Sequence, residues 1–217
     1  MSRKIRQYAT EHIRVSFDVG RCIHAAQCVA RLGKVFDPSK RPWVQPEHAS
    51  PADVSETVSH CPTGALHFER LDGGQPEWPD AVNTVTVEPN GPLYVRGQIQ
   101  ILAADGTMLL EDTRVAFCRC GASKAKPLCD GSHTEAGFRD PAILGRRPVP
   151  AEAPEHAPLT VTVRPNGPLR LEGPHRVVAR TTEPALNLER CSLCRCGHSA
   201  VRPFCDGAHK RVGFQAE

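Results

Sequence analysis

The chain has 217 residues with ten cysteines, 20 prolines and 17 glycines, and aromatic residues make up only 5% of it. This composition argues against one large core and predicts two or three small, turn-rich modules that need metal or covalent cross-links. The net charge of +3 is too small, and the basic residues are too evenly spread, to indicate a nucleic-acid-binding surface. No phosphate-binding loop, dinucleotide-binding glycine motif or nucleophile elbow is present, so we expect a protein that is not an enzyme.

The cysteines are best explained by a reducing, cytoplasmic location. The start of the chain carries basic residues without a following apolar stretch, which argues against a secretion signal. No segment approaches the roughly 18 apolar residues needed to cross a bilayer, so we expect no membrane attachment. In the cytoplasm, clustered cysteines indicate metal or redox chemistry more often than disulfides.

The first predicted module covers residues 11–70 and combines strands with short helices. The apolar alternation in HIRVSFD predicts a strand, and helices are predicted at Ala25–Leu32 and Pro51–His60. A closing strand is predicted at Ala65–Phe68. The segment that follows, LDGGQPEWPD, is rich in glycine and proline and predicts a break before the next module.

Three cysteines of this module, Cys22, Cys28 and Cys61, lie in the segments CIHAAQC and CPTGALHF. These segments resemble a bacterial ferredoxin, in which CxxCxxC is completed by a distant Cys-Pro, with Ala25 in place of the middle cysteine. The module is similar to the divergent single-cluster ferredoxin domains, which implies a ferredoxin-like α+β fold with an iron–sulfur cluster. Three thiolates favour a 3Fe-4S cluster. The alternatives are a 4Fe-4S cluster whose fourth iron binds His24, water or another ligand, and three buried cysteines without a metal.

The remainder of the chain is one module duplicated with a constant offset of 76 residues, since residue 118 corresponds to residue 194 and residue 133 to residue 209. The two copies are predicted to be domains at 82–140 and 158–217, joined by the proline-rich linker 141–158. In each copy an alternating run, an Asn-Gly turn and a second apolar run predict a β-hairpin. A third strand is predicted at 99–103 and at 177–179, and a fourth leads into the first cysteine.

Each copy carries three cysteines and one histidine that could bind metal. These are Cys118, Cys120, Cys129 and His133 in the first copy and Cys194, Cys196, Cys205 and His209 in the second. Two cysteines at i and i+2 of an extended strand point the same way and can hold one metal, while a cysteine and a histidine at i and i+4 share a helical face and can hold a second. The spacing favours a two-metal cluster. The alternatives are a zinc site, although structural zinc sites usually pair cysteines as CxxC, and disulfides, which leave the repeated histidine unexplained.

The full pattern, CxCxx(S)xxxPxCDG(S/A)H, resembles the CDGSH iron–sulfur family, also called NEET, and both copies match it, including Ser123, Pro127, Ser199 and Pro203. The resemblance implies a 2Fe-2S cluster in each copy, with the CxC pair on an inner iron and the Cys-to-His pair on an outer, more exposed one. A histidine ligand raises the reduction potential and makes the outer iron sensitive to pH. One-motif relatives are homodimers, so two motifs imply an intramolecular pseudo-dimer and a monomeric protein.

We therefore expect an α+β protein with a ferredoxin-like module followed by two small, β-rich CDGSH modules. Its expected function is one-electron transfer from cluster to cluster and to a redox partner protein. The alternative is cluster storage, cluster delivery to an apo iron–sulfur acceptor, or redox or pH sensing. Neither nucleic acid nor a membrane is an expected partner. Cys191, which stands where the first copy has Val115, is expected to be a small core residue and not a ligand.

Overall fold

The structure is a computed structural model that describes residues 4–144, 156–179 and 182–216. Residues 145–155, most of the predicted linker, lie outside the described residues, as does residue 217 at the end of the predicted second CDGSH domain. Strands and helices are mixed within the described residues, which confirms the predicted α+β class. None of the helices in this part of the chain is long and apolar enough to cross a membrane.

The first compact unit, Met1–Trp78, is a three-stranded antiparallel sheet with two short helices. Its elements are β1 (Ile5–Ala9), β2 (Ile13–Asp18), α1 (Gln27–Arg31), α2 (Pro51–Ser59) and β3 (Leu66–Arg70), and the strands lie in the order β1-β2-β3. Apolar residues alternate along β2, so Ile13, Val15 and Phe17 face one side and pack in a core with Val54 and Val58 of α2. This core holds α2, and the loop that follows it, against the sheet.

Two features of this unit differ from the sequence-based expectation. The edge strand β1 precedes the predicted start of the module; its side chains are mostly exposed, so it carries no apolar alternation that would reveal it. The first helix begins at Gln27 and not at Ala25, because Ala26 adopts the left-handed conformation (φ 59°) and cannot continue a right-handed helix. Residues 22–26 therefore form an irregular loop around the first cysteine.

The second compact unit, Pro79–Glu217, contains both copies of the duplicated module in one six-stranded sheet. Its elements are β4 (Thr84–Val87), β5 (Leu93–Leu102), β6 (Met108–Phe117), β7 (Leu159–Val163), β8 (Leu169–Ala179), β9 (Thr182–Leu193) and α3 (Ala208–Arg211). Strands β4 and β5 are antiparallel, as are β7 and β8, and the parallel pairs β5–β7 and β4–β8 close these four strands into a ring. Strands β6 and β9 pair with β5 and β8.

The two copies exchange strand contacts halfway along β5 and β8. Residues 93–96 of β5 pair with β4 of the same copy, whereas residues 99–102 pair with β7 of the other. This agrees with the predicted intramolecular pseudo-dimer. The prediction of four strands per copy was wrong, because the second and third predicted strands are one bent strand with a register shift between Arg96 and Ile99.

Asn83 links the backbones of the two copies beside this bend. Its side-chain amide donates to the carbonyls of Ala157 (2.6 Å) and Pro174 (3.0 Å), and its Oδ1 accepts from the amide of Gln98 (2.9 Å). Asn83 is only 2% exposed, so its own amide group has little access to water and depends on these three backbone partners. The side chain of Asn83 thus stabilises the junction at which strands of the two copies pair.

Candidate metal centres

The CxC cysteines of each copy lie in close pairs. The Sγ atoms of Cys118 and Cys120 are 3.7 Å apart, and those of Cys194 and Cys196 are 3.6 Å apart. Two thiolates on one tetrahedral metal, with metal–sulfur bonds of about 2.3 Å, would be about 3.8 Å apart. In both copies the pair therefore fits two ligands of a single metal.

The cysteine and histidine at the other end of the motif form a second pair. In the first copy Cys129 Sγ lies 3.4 Å from His133 Nδ1. A thiolate and an imidazole on one tetrahedral metal, with bonds of about 2.3 and 2.0–2.1 Å, would be about 3.5 Å apart. Among the described residues, no three His, Cys, Asp or Glu side chains close around one ion position. The structure thus presents the predicted ligands of the first copy as two pairs.

The eight-residue loop between the pairs folds back onto the end of the preceding strand. In the first copy the amide of Cys118 donates to the carbonyl of Pro127 (2.9 Å), and the amide of Cys129 donates to the carbonyl of Ala116 (2.9 Å). The second copy repeats both bonds, from Cys194 to Pro203 (2.8 Å) and from Cys205 to Ser192 (2.9 Å). Backbone pairing therefore brings the two ends of each motif together.

A buried serine organises the turn of each loop. Ser123, 1% exposed, donates its hydroxyl to the carbonyl of Leu128 (2.7 Å) and accepts from the amide of Ala125 (3.0 Å). Ser199 is equally buried and donates to the carbonyl of Phe204 (2.6 Å). The hydroxyl replaces water as the partner of backbone groups that the turn encloses.

Asp130 ties the CDGSH segment to the same loop. Its Oδ1 accepts from the amide (3.0 Å) and hydroxyl (2.6 Å) of Ser132, and its Oδ2 accepts from the amide of Lys124 (2.8 Å). Burial raises the pKa of Asp130, but these hydrogen bonds outweigh it and lower the pKa to about 2. The segment after Asp130 is a series of turns, whereas in the second copy it forms the helix α3.

The thiols of the first copy interact strongly when no metal is bound. A hydrogen bond from Cys120 lowers the pKa of Cys118 to about 6, and the same contact raises the pKa of Cys120. Burial raises the pKa of Cys129 to about 11. Several thiolates this close repel one another unless a cation lies between them. The donor set therefore suits a thiophilic metal centre such as an iron–sulfur cluster.

The histidine of each motif is partly exposed to solvent. In the second copy Cys194 and Cys196 are only 2% and 4% exposed, whereas Cys205 and His209 are half-buried. In the first copy the half-buried ligands are Cys120 and His133, whereas Cys129 is buried. The expectation that the Cys-to-His pair is the more exposed end therefore holds in the second copy and not in the first.

The two CDGSH sites meet at their CxC segments. Cys120 and Cys196 form an antiparallel backbone bridge, with Gly121 and Gly197 beside it at φ of 83° and 80°. A Cβ atom on either glycine would lie 2.9 or 2.8 Å from the carbonyl oxygen of the opposite cysteine, so both positions need glycine. Residues paired in this way have Cα atoms about 4.5–5.5 Å apart, so the two sites are neighbours.

Each CxC segment also encloses a buried arginine that the sequence reasoning missed. Arg119, 2% exposed, donates to the carbonyls of Gly91 (2.8 Å) and Glu88 (2.5 Å), and its guanidinium lies 5.0 Å from the ring centre of Phe138. Arg195 makes the equivalent contacts with Gly167 (2.7 Å), Arg164 (2.5 Å) and Phe214 (5.5 Å). The recurrence of arginine between the two cysteines at the 76-residue offset was the signal that could have revealed them.

The three predicted ligands of the first unit line one small cavity. Cys22 and Cys28 come from the loop around α1 and Cys61 from the turn after α2, and Ala25 lines the same space. Burial, reinforced by Cys61, raises the pKa of Cys28 to about 11. All ten cysteines of the chain lie among the described residues, and none forms a disulfide. The structure therefore brings three thiols together, and Ala25 lines the same cavity where a ferredoxin has the middle cysteine of CxxCxxC.

A wider cavity of about 590 Å³ adjoins Cys22 and Cys28 on the outside. His24 lines this outer cavity, together with Arg6 and Arg41, and its side chain is exposed. It does not belong to the lining of the three-cysteine cavity. His24 lies at the mouth of the site and not inside it.

Cys191 packs against the core of the second unit on β9, as the sequence indicates. His175 is fully buried, with Nε2 3.3 Å from the Cys191 sulfur and Nδ1 2.7 Å from the carbonyl of Gly173. Burial lowers the pKa of His175, so the ring is neutral, donates from Nδ1 and accepts the thiol proton at Nε2. The first copy has Ile99 and Val115 at these positions. The pair is a polar substitute for an apolar contact.

Comparison with known proteins agrees with these sites. A family model described as "Divergent 4Fe-4S mono-cluster" matches residues 8–70, and one described as "Iron-binding zinc finger CDGSH type" matches residues 90–134 and 166–210. Two curated relatives are the uncharacterized proteins YjdI of Escherichia coli strain K12 and of Escherichia coli O157:H7. Each is 36% identical over 63 residues, which is 29% of this chain and 83% of the relative. The matched segments contain all the predicted ligands.

Proposed function

The chain belongs to the CDGSH iron-binding family, with a divergent 4Fe-4S mono-cluster domain ahead of its two CDGSH units, and from this we propose that it is a non-enzymatic carrier of single electrons. Each CDGSH unit would hold one 2Fe-2S cluster and the first unit one further cluster. The observation that carries the proposal is the backbone bridge between Cys120 and Cys196, which makes the two CDGSH sites neighbours within one sheet. Its partner in electron transfer would be a redox protein and not a small-molecule substrate.

The residues of each CDGSH unit have separate roles. A bound 2Fe-2S cluster accepts and donates one electron. In the first copy Cys118 and Cys120 would hold one iron and Cys129 and His133 the other. The neutral imidazole in place of a fourth thiolate makes the site less negative, which favours reduction. The amide of Ala122 donates to Cys120 Sγ (3.4 Å), and such bonds to sulfur favour the reduced state too.

The first unit would hold its cluster through Cys22, Cys28 and Cys61. Because Ala25 replaces the middle cysteine of CxxCxxC and leaves three thiolates, we favour a 3Fe-4S cluster. The alternative, supported by the family description, is a 4Fe-4S cluster with one ligand that is not a cysteine. Electron paramagnetic resonance of anaerobically isolated, oxidised protein separates the two. An oxidised 3Fe-4S cluster is paramagnetic, whereas a silent spectrum excludes it.

Rapid freeze-quench spectroscopy tests electron transfer between the CDGSH sites. The loaded protein is mixed with less than one reducing equivalent, and the distribution of the electron between the two sites is followed with time. Neighbouring sites predict a redistribution whose rate does not depend on protein concentration. A variant with Cys205→Ser and His209→Ala, which lacks the second site, is the control without this phase. A rate proportional to protein concentration would mean that electrons move between molecules.

The half-buried histidines favour a second candidate function, delivery of clusters to an apo-protein. The variant His133→Cys with His209→Cys distinguishes the two. A delivery protein should then lose its clusters to an apo-acceptor more slowly, because a thiolate holds iron more firmly than an imidazole that can be protonated. An electron carrier should show a lower reduction potential with little change in its transfer of clusters.

A further inference from the structure

The buried arginines of the two CDGSH sites differ in their anionic partner. Arg119 Nη1 lies 2.8 Å from Asp140 Oδ1, with the two side chains only 1% and 6% exposed. The corresponding residue of the second copy is Ala216. Both residues occupy the same place in the fold, because the amide of Asp140 donates to Asn90 (2.8 Å) and the amide of Ala216 donates to Asn166 (2.8 Å). The second copy therefore has the backbone of this contact without its carboxylate.

Among the described residues, no carboxylate takes beside Arg195 the place that Asp140 takes beside Arg119. Arg195 is 2% exposed, and among the described residues its Nη1, like that of Arg119, makes no hydrogen bond of good geometry, so the two arginines differ in the ion pair with Asp140. Burial lowers the pKa of Arg195, whereas the thiolate of Cys118 in the other copy acts in the opposite direction. A guanidinium stays protonated in proteins, so the charge persists at neutral pH. Arg195 stands between Cys194 and Cys196 in the sequence, so this charge belongs to the second site.

Asp140 also joins the first copy to the ligand loop of the second. It forms an ion pair with Arg202, whose Nη1 donates to the carbonyls of Gly197 (3.1 Å) and Ser199 (2.8 Å). Burial raises the pKa of Asp140, but hydrogen bonds from the arginines outweigh it and lower the pKa, so the carboxylate is ionised at neutral pH. Its negative charge is therefore a fixed feature of one side of the pseudo-dimer.

We infer that Asp140, with alanine at its counterpart position 216, makes the two CDGSH sites electrostatically unequal, so that their clusters are reduced at different potentials. A buried positive charge favours addition of an electron nearby, and a carboxylate paired with that charge cancels the effect. The site of higher potential takes the first electron. The inference deepens the proposed electron-transfer function, because unequal potentials give transfer within the molecule a direction.

Equilibrium redox titration of the fully loaded protein tests the inference, with cluster content measured first. Ala216→Asp supplies the missing carboxylate, and Ala216→Asn is its uncharged control of the same shape. We expect the aspartate variant to shift at least one CDGSH potential downwards relative to the asparagine variant. The expected size is on the order of tenfold in the one-electron reduction equilibrium, which equals about 59 mV.

Two further variants act through existing groups. Asp140→Asn removes the carboxylate charge and should shift a potential upwards, whereas Arg195→Gln removes the buried positive charge of the second site and should shift a potential downwards. If the variants that retain both clusters titrate like the wild type, the inference is wrong. Because these are equilibrium measurements, shifted potentials with no redistribution of electrons would leave the inference standing and refute the electron-transfer proposal instead.

Discussion

The buried turn around Ser123 should control how firmly the first CDGSH site retains its metal. Ser123→Ala removes two hydrogen bonds, from the hydroxyl to Leu128 and from the amide of Ala125, at a position that is 1% exposed. At about 1 kcal/mol each, the two bonds contribute about 2 kcal/mol to closure of the loop. If the loop opens before metal is lost, this corresponds to roughly 30-fold faster loss.

The decay of visible absorbance in excess chelator measures this loss. Ser199 has the same role in the second copy. Ser123→Ala should therefore accelerate the decay of the first CDGSH site, and Ser199→Ala that of the second. Lys124→Ala is the control, since Lys124 is exposed and contributes its backbone amide to the bond with Asp130. We expect that control to stay within about twofold of the wild type. The reasoning is refuted if both serine variants decay within about threefold of the wild-type rate.

Two further predictions concern the sheet of the second unit. Asn83→Ala removes three hydrogen bonds, two of them between the copies, and should lower the free energy of unfolding in urea by about 3 kcal/mol. A loss below about 1 kcal/mol would contradict its linking role. Replacing His175 by isoleucine together with Cys191 by valine installs the apolar residues of the first copy, Ile99 and Val115. Unfolding free energy should change by less than about 1 kcal/mol with iron content unchanged, and a loss of iron would show that Cys191 contributes to a metal site.

Spacing within the motif was sufficient to predict which ligands pair. The alternation of side chains predicted that Cys118 and Cys120 point the same way, but not the 3.7 Å between their sulfurs, because β6 ends at Phe117 and both cysteines follow it. The 76-residue offset predicted the duplication, and the resemblance to homodimeric one-motif relatives added that the two copies pack as a pseudo-dimer. The ligand pairing and the duplication use local geometry or exact repetition, which a single sequence contains.

The features that a single sequence could not reveal depend on contacts distant along the chain. The second part of β5 pairs with β7 of the other copy, a contact that the sequence does not contain. The prediction therefore divided this bent strand into two strands. Asp140 forms ion pairs with Arg119 and with Arg202, which lies 62 residues after Asp140 in the chain. Only the folded sheet brings such groups together, and it does so in one copy and not in the other.

Iron and acid-labile sulfide content of anaerobically purified protein tests the central claim most directly. Two 2Fe-2S clusters and a third cluster predict about eight sulfides per chain with about seven irons for a 3Fe-4S cluster, or about eight for a 4Fe-4S cluster. Variants with Cys118→Ser or Cys194→Ser should each lose about two irons and two sulfides. Zinc without sulfide in the wild-type protein would contradict the account.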